Sequence, residues 1–294
     1  MGNILVTGAD GFIGKRLVIK LKDLGYTVLE HTIHDGDIAS TTLDFQDVDH
    51  VFHLAGLTYV PYSWENPSEF YRVNIMGTQN VLEFCRKNDA SLTFPSTYVY
   101  GAPITIPISE RHPVNPNTPY NHSKVLCESL CEFYNKVFKI DITVLRPFNI
   151  FGAGQSPEFL IPTVINQIIN QDVKEIIVKD LLPKRDYLYV DDLVEAMCIT
   201  VGNKGYRVYN VGSGSSLSVE EVILSIQKIS GIFKPYLSLN ARRTNEVDDI
   251  IADITKIKSE LNWRPKYSWN EAISLMIKDI LNNNNNGMNN GDTI

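Results

Sequence analysis

Tyr120 and Lys124 stand four residues apart in "TPYNHSK" (118–124), at what reads as a helix start. Thr118 is available there as the N-cap, and Pro119 suits the first helical position. The i, i+4 spacing puts both side chains on one face. A phenol titrates at about 10, so a tyrosine that moves a proton near neutrality needs its phenolate stabilised. An ammonium one turn away does that. Taken alone, a surface Tyr–Lys pair accounts for the spacing better. In "PSTYVYG" (95–101) an apolar run ends in a cluster of hydroxyls that includes Ser96 and Thr97, which is either a catalytic oxygen or a strand meeting a turn. A third stretch, "TGADGFIG" (7–14), places glycines at 8, 11 and 14, one residue longer in its first gap than the usual dinucleotide fingerprint. Glycines there allow a tight turn and a close approach to a pyrophosphate, and the following helix offers its positive N-terminus. Between a strand and a helix, the loop favours a dinucleotide site over a bland turn.

These groups need elements to hold them. "NILVT" (3–7), "TVLEHT" (27–32), "HVFHLA" (50–55), "SLTFPST" (91–97) and "ITVLRP" (142–147) read as strands, and 12–24, 67–88 and 119–138 as helices between them. Alternation of this kind means βαβ crossovers and a parallel sheet covered on both faces. After about 155 the alternation loosens into helices near 159–171, 191–202, 219–230 and 269–281, with short strands such as "EIIVK" and "RVYNVG". The expected fold class is α/β: a Rossmann-type doubly wound parallel sheet over 1–155, with a return segment near 186–207, then a smaller C-terminal α/β substrate domain, mainly 156–283. The ligand crevice lies between them. The Asn-rich end, 284–294, reads as a disordered tail.

Composition narrows the function classes. A chain of 294 residues with 44% apolar and 21% charged residues buries a globular core. Its net charge of −7 argues against a nucleic-acid or anionic-membrane partner, either of which needs a basic face. No apolar run approaches the roughly 20 residues of a membrane span. "MGNILVTGAD" enters a strand directly, so no secretory signal is expected. Cys127 and Cys131 share a helix face, but no second ligand pair at zinc spacing accompanies them. Buried reduced thiols are expected, hence a cytoplasmic location, and no metal.

The second strand bears on the cofactor. An NAD enzyme puts an acid at its end to bind the ribose hydroxyls. Here that place holds Thr32, with Glu30 two residues earlier and deep in the strand. Without a carboxylate to repel it a 2′-phosphate is tolerated, so NADP(H) is favoured over NAD(H). Lys15, Arg16, His31 and His34 are candidate donors to it, although Lys15 and Arg16 read equally as a solvated helix face. "GDI" (36–38) brings Asp37 and Ile38 to the adenine.

"TGADGFIG", "HLAG" (53–56), "VNIMGT" (73–78), "STYVYG", "YNHSK", "RPFNIFGAGQ" (146–155) and "RDYLYVDDL" (185–193) together resemble the extended short-chain dehydrogenases/reductases, the NAD-dependent epimerase/dehydratases that act on nucleotide sugars. The resemblance runs to "LNWRPKYSW" (261–269). It implies a catalytic set of Ser96, which hydrogen-bonds the sugar oxygen, Tyr120, which moves its proton, and Lys124, which holds the nicotinamide ribose and lowers the Tyr120 pKa. It implies cofactor contacts at Gly8, Gly11, Phe12, Ile13, Gly14, Leu54, Ala55, Gly56, Thr58 and Pro147, and substrate contacts at Ser96, Thr97, Asn149, Arg185 and Arg242. It also implies a homodimer through helices 67–88 and 119–138, whose Val81, Leu82, Phe84, Leu126, Leu130 and Phe133 spread over more than one stripe. The sugar 4,6-dehydratases of this group read Thr-Asp-Glu where this chain reads Ser96-Thr97-Tyr98, so dehydration is disfavoured. What remains is hydride transfer at C4. "RPFNIFGAGQSPEFLIP" resembles a 4-keto-6-deoxysugar reductase, so reduction of an NDP-4-keto-6-deoxyhexose is the expectation, an NDP-sugar 4-epimerase the alternative, and a non-catalytic dinucleotide-binding protein a third reading.

Overall fold

The computed structural model describes residues 2–241 and 247–289. Six short segments pair in parallel as one sheet: β1 (Asn3–Thr7), β2 (Thr27–His31), β3 (His50–His53), β4 (Ser91–Pro95), β5 (Ile142–Pro147) and β6 (Tyr206–Val211). Their spatial order is β6-β5-β4-β3-β1-β2. Alternate side chains of β1 feed two cores: Ile4 and Val6 join Leu17, Leu193 and Tyr209 on one face, while Leu5 joins Val81, Leu92 and Cys131 on the other. Burial on both faces is what makes such strands read as apolar runs. β2 lies on one side of β1 and β3 on the other, so the winding reverses there. The carboxyl ends of β1 and β3 open a crevice at that point.

Helix α1 (Gly14–Asp23) buries Leu17, Val18 and Leu21 against β1, and the chain turns out of it at Gly25, where φ is +86°. α2 (Gly77–Asn88) continues a helical run from Pro67 whose middle, Tyr71–Met76, winds as a wider π-helical turn. α3 (Pro119–Phe138) is capped by Thr118, whose hydroxyl accepts the Asn121 N–H at 3.0 Å, and ends at Lys139 in the left-handed region. α4 (Leu160–Ile169), α6 (Val219–Ser230) and α7 (Trp269–Asn289) build a third core around Val164, Ile165, Ile223 and Ile273. Between them α5 (Val190–Cys198) returns to the sheet layer and rests on α1, with Arg16 on Asp191 at 2.8 Å. No helix among the described residues is long and apolar enough to cross a membrane.

Several expectations shift. β3 ends at His53 and β4 at Pro95, so Leu54–Ala55 and Ser96–Thr97 occupy the loops at the carboxyl ends rather than the strands. α7 carries on to Asn289, into the stretch expected to be disordered, because adding residues to a packed helix costs far less than starting one. Of the apolar residues on the two helices, Val81, Leu82 and Phe84 are buried in the chain's own core, Phe84 edge-on to Phe45 at 6.5 Å.

Candidate active site

The glycine loop is held by its neighbours on both sides. Gly8 N–H donates to the His31 carbonyl at 2.7 Å and Ala9 N–H to the same oxygen at 3.3 Å, while Leu54 N–H donates to Thr7 O at 3.0 Å. Gly8 has φ +68°, and a Cβ there would lie 2.7 Å from the Ala55 nitrogen; at Gly14 a Cβ would overlap the Gly8 carbonyl oxygen. Only glycine fits either place. The N-cap of α1 is Ile13, which makes no side-chain hydrogen bond, and the first turn has no acid, so the positive helix end is left for an anion. These residues fit the pyrophosphate of a dinucleotide. Phe12 packs its ring towards Gly152, and it and Ile13 are half-buried against the third core.

Around the crevice, Ala55 N–H donates to Thr7 Oγ1 (3.3 Å), and Thr58 is exposed just beyond. Asn74, on the wide turn before α2, clamps this loop. Its Oδ1 accepts the Leu57 N–H (2.8 Å), and its Nδ2 donates to Leu57 O (3.1 Å) and to Ser123 Oγ on α3 (2.9 Å). A Cβ on Gly56 would lie 2.9 Å from that Oδ1. Asn74 escaped sequence reasoning, although a polar residue between Val73 and Ile75 on a buried helical face was a usable signal. Ile38 is buried against Gly77, and Asp37 accepts Ala39 N–H (2.9 Å) and pairs with Arg72 (2.7 Å), the two contacts that hold its carboxyl below the usual range. Arg16, one of the candidate phosphate donors, is turned to Asp191 and the Ala153 carbonyl (2.8 Å each).

Ser96, Tyr120 and Lys124 meet at the end of β4. Ser96 is anchored by its N–H on Leu145 O (2.7 Å), and its buried Oγ has no hydrogen-bond partner among the described residues. A buried hydroxyl without a partner is costly unless a ligand completes it. Tyr120, on the first turn of α3, is hydrogen-bonded by the Thr97 side chain. One turn on, Lys124 is buried, donates from Nζ to Pro95 O at 3.0 Å, and lies 4.5 Å from the Phe94 ring centre. The spacing read from the sequence thus delivers the ammonium to the peptide next to Ser96. Burial pushes the Tyr120 phenol up, opposed by the Thr97 hydrogen bond, and pushes Lys124 down. Lys124 thus spends a hydrogen bond on Pro95 O, one turn along from the Tyr120 phenol that burial raises.

On the substrate side, Pro147 closes β5, and Asn149 begins a three-residue strand paired with Tyr187–Tyr189. Asn149 donates to the Asp186 carbonyl from N (3.0 Å) and Nδ2 (3.4 Å), which places it one residue from Arg185. Arg185 donates from one nitrogen to the carbonyls of Lys184 and Val247 (2.7 Å each). Between them the buried carboxylate of Asp186 accepts Ser213 N–H and Oγ–H (2.7 Å each) and the N–H groups of Gly214 and Ala252 (3.0 Å each), pinning the segment. Arg242 lies outside the described residues.

The model of the NAD dependent epimerase/dehydratase family matches residues 4–212. A putative UDP-glucose 4-epimerase of Methanocaldococcus jannaschii is 34% identical over 306 residues, covering 96% of this chain and 99% of that one. The UDP-glucose 4-epimerase of Thermotoga maritima, solved with UDP-glucose, superposes with a TM-score of 0.88 at 28% identity, over 96% of this chain and 99% of its own. RMD of Pseudomonas aeruginosa, solved with NADPH, does so at 0.87 and 28%, over 95% and 98%. Matched by that model over most of its length, and by these proteins from end to end, the chain is a member of the NAD-dependent epimerase/dehydratase family.

Proposed function

We propose that the protein is a 4-epimerase of a nucleotide-diphosphate hexose, with a UDP-sugar as the first candidate. The observation that carries the chemistry is the buried, unpartnered Ser96 Oγ beside Tyr120 and Lys124, in a loop whose next two side chains, Thr97 and Tyr98, are hydroxyls rather than carboxylates. Hydroxyls relay a proton to and from a sugar oxygen; they do not expel water. A bound nicotinamide supplies the hydride acceptor and donor. Gly8, Gly11 and Gly14 hold its pyrophosphate, and Lys124 its ribose. Tyr120 takes the proton from O4 as C4 is oxidised and returns it on reduction, Ser96 donates to that oxygen, and the Lys124 charge stabilises the phenolate once substrate fills the crevice. Asn149, Arg185 and Arg242 take the diphosphate.

The curated relatives that span the chain carry epimerase names, which favours epimerisation over the net reduction that the "RPFNIFGAGQ" stretch suggested. Likeness to a structure solved with NADPH keeps the reductase as second reading. The test mixes purified protein with UDP-glucose, GDP-mannose or dTDP-glucose without added cofactor, and separately with their 4-keto-6-deoxy forms plus NADPH. Appearance of the C4 epimer by NMR is expected. NADPH consumption with the keto sugars, and none of the epimer, overturns the proposal in favour of the reductase.

A further inference from the structure

The end of β2 holds a carboxylate that its sequence position does not announce. Directly after His31 the chain makes a single 3₁₀ turn, Ile33–Asp35, and Gly36 (φ +128°) sends it straight into Asp37–Ile38. That turn folds Asp35 back onto Thr32: Asp35 Oδ2 accepts both the Thr32 N–H and the Thr32 hydroxyl, each at 2.8 Å. The Thr32 hydroxyl in turn accepts the His34 N–H at 3.3 Å. The carboxylate therefore lies within one hydrogen bond of the side chain at the position where an acid reads the ribose. Position 32 is also beside the phosphate loop, because the His31 carbonyl accepts the N–H groups of Gly8 and Ala9.

We infer that Asp35 is the ribose-reading acid of this chain and gives it a preference for NAD over NADP. The inference rests on the dinucleotide reading of the glycine loop and does not depend on which sugar is epimerised. Asp35 is exposed, and its Oδ1 has no partner among the described residues, so it is open to the ribose hydroxyls. The Thr32 contacts keep its carboxyl below the usual range, so it is charged at neutral pH and repels a 2′-phosphate. The neighbouring cations are committed elsewhere. Arg72 is on Asp37 and Glu69 (2.7 Å each), Lys22 on Glu30 (2.7 Å) and Arg16 on Asp191 (2.8 Å). His31 is buried, and of the donors named from the sequence Lys15 and His34 remain to meet a 2′-phosphate. This reverses the NADP preference expected from Thr32 alone, because that reading counted residues along the strand and the acid arrives from the turn.

The experiment measures NAD⁺ and NADP⁺ affinity of the full chain, stripped of bound nucleotide, by quenching of tryptophan fluorescence. The wild type is compared with Asp35→Asn, which keeps the shape, and Asp35→Ser, which removes it. The wild type is expected to bind NAD⁺ at least tenfold more tightly than NADP⁺, and both variants to reduce that ratio at least tenfold. Circular dichroism confirms that each is folded. A wild type that prefers NADP⁺, or folded variants that keep the wild-type ratio within twofold, overturns the role of Asp35 and leaves the enzyme reading intact. Binding of neither dinucleotide overturns both.

Discussion

Tyr120 carries a burden the rest of the site does not share, since it must lose and regain a proton where burial favours the neutral phenol. Removing only its oxygen isolates that role. Tyr120→Phe is expected to lower turnover by about two to four orders of magnitude, the usual contribution of a positioned acid–base group, with dinucleotide affinity nearly unchanged in a binding titration. Lys124→Met is expected to harm both. Near-normal turnover in Tyr120→Phe removes the assignment. Two histidines behind the site make a different demand. His50 is hydrogen-bonded to Ser91 and Thr93 and His53 to Thr7 and Thr78, and burial pushes both down to about 3 from the ordinary 6.5. The unfolded chain therefore binds more protons than the folded one between those values. Their contribution to stability is full above about pH 6.5 and is lost as pH falls towards 3, at up to about 1.4 kcal/mol per pH unit for each. Urea midpoints measured from pH 7 to pH 4 should fall along that limb, and His53→Gln should flatten it relative to wild type.

Between elements the decisive contact is a buried ionic knot. Arg146 of β5 donates to both Glu128 oxygens on α3, from Nε at 3.0 and 3.2 Å and from a terminal nitrogen at 2.5 Å, and donates to the Tyr100 hydroxyl at 2.9 Å. Tyr100 donates to Asn210 Oδ1 on β6 (2.6 Å), and Asn210 donates to the Ile108 carbonyl (2.8 Å). One guanidinium thus ties together the strand of Pro147, the helix of Tyr120 and Lys124, and the loop that follows Ser96. Arg146→Met leaves Glu128 buried without its partner, and is expected to cost about 3–5 kcal/mol of stability, measured by urea unfolding. Arg146→Met with Glu128→Leu should cost less, because no bare charge remains; equal losses would show that the knot is not coupled. None of this was legible in the sequence. The strands and helices were, because apolar runs and the 3.6-residue period report burial face by face. Ser96, Tyr120 and Lys124 could be named because local motifs carry them. The Glu128–Arg146–Tyr100–Asn210 knot and the Asp35 turn depend on which polar residues the tertiary fold brings together, and no periodicity records that.

At the scale of the whole molecule, α3 leaves an apolar line uncovered. Leu126, Phe133 and Val137 are exposed, with Leu130 half-buried between them, at the three- and four-residue steps of one helix face; Phe138 and, on the preceding helical run, Met76 add to it. Water does not favour such a line, and a second copy meeting it about a two-fold axis buries it twice. A dimer is expected by light scattering at micromolar concentration, and Phe133→Glu with Val137→Lys should shift it to monomer. The same fold sets a schedule for synthesis. β6 joins β5 only after some sixty further residues have been made, since the strand after Pro147 in the sheet begins at Tyr206. Until then a nascent chain shows the bare edge of β5 to whatever is near, with the Asn210 end of the knot still missing. The sheet is thus closed by a late-made strand, and the edge of β5 has its partner only once the chain has been made as far as Val211.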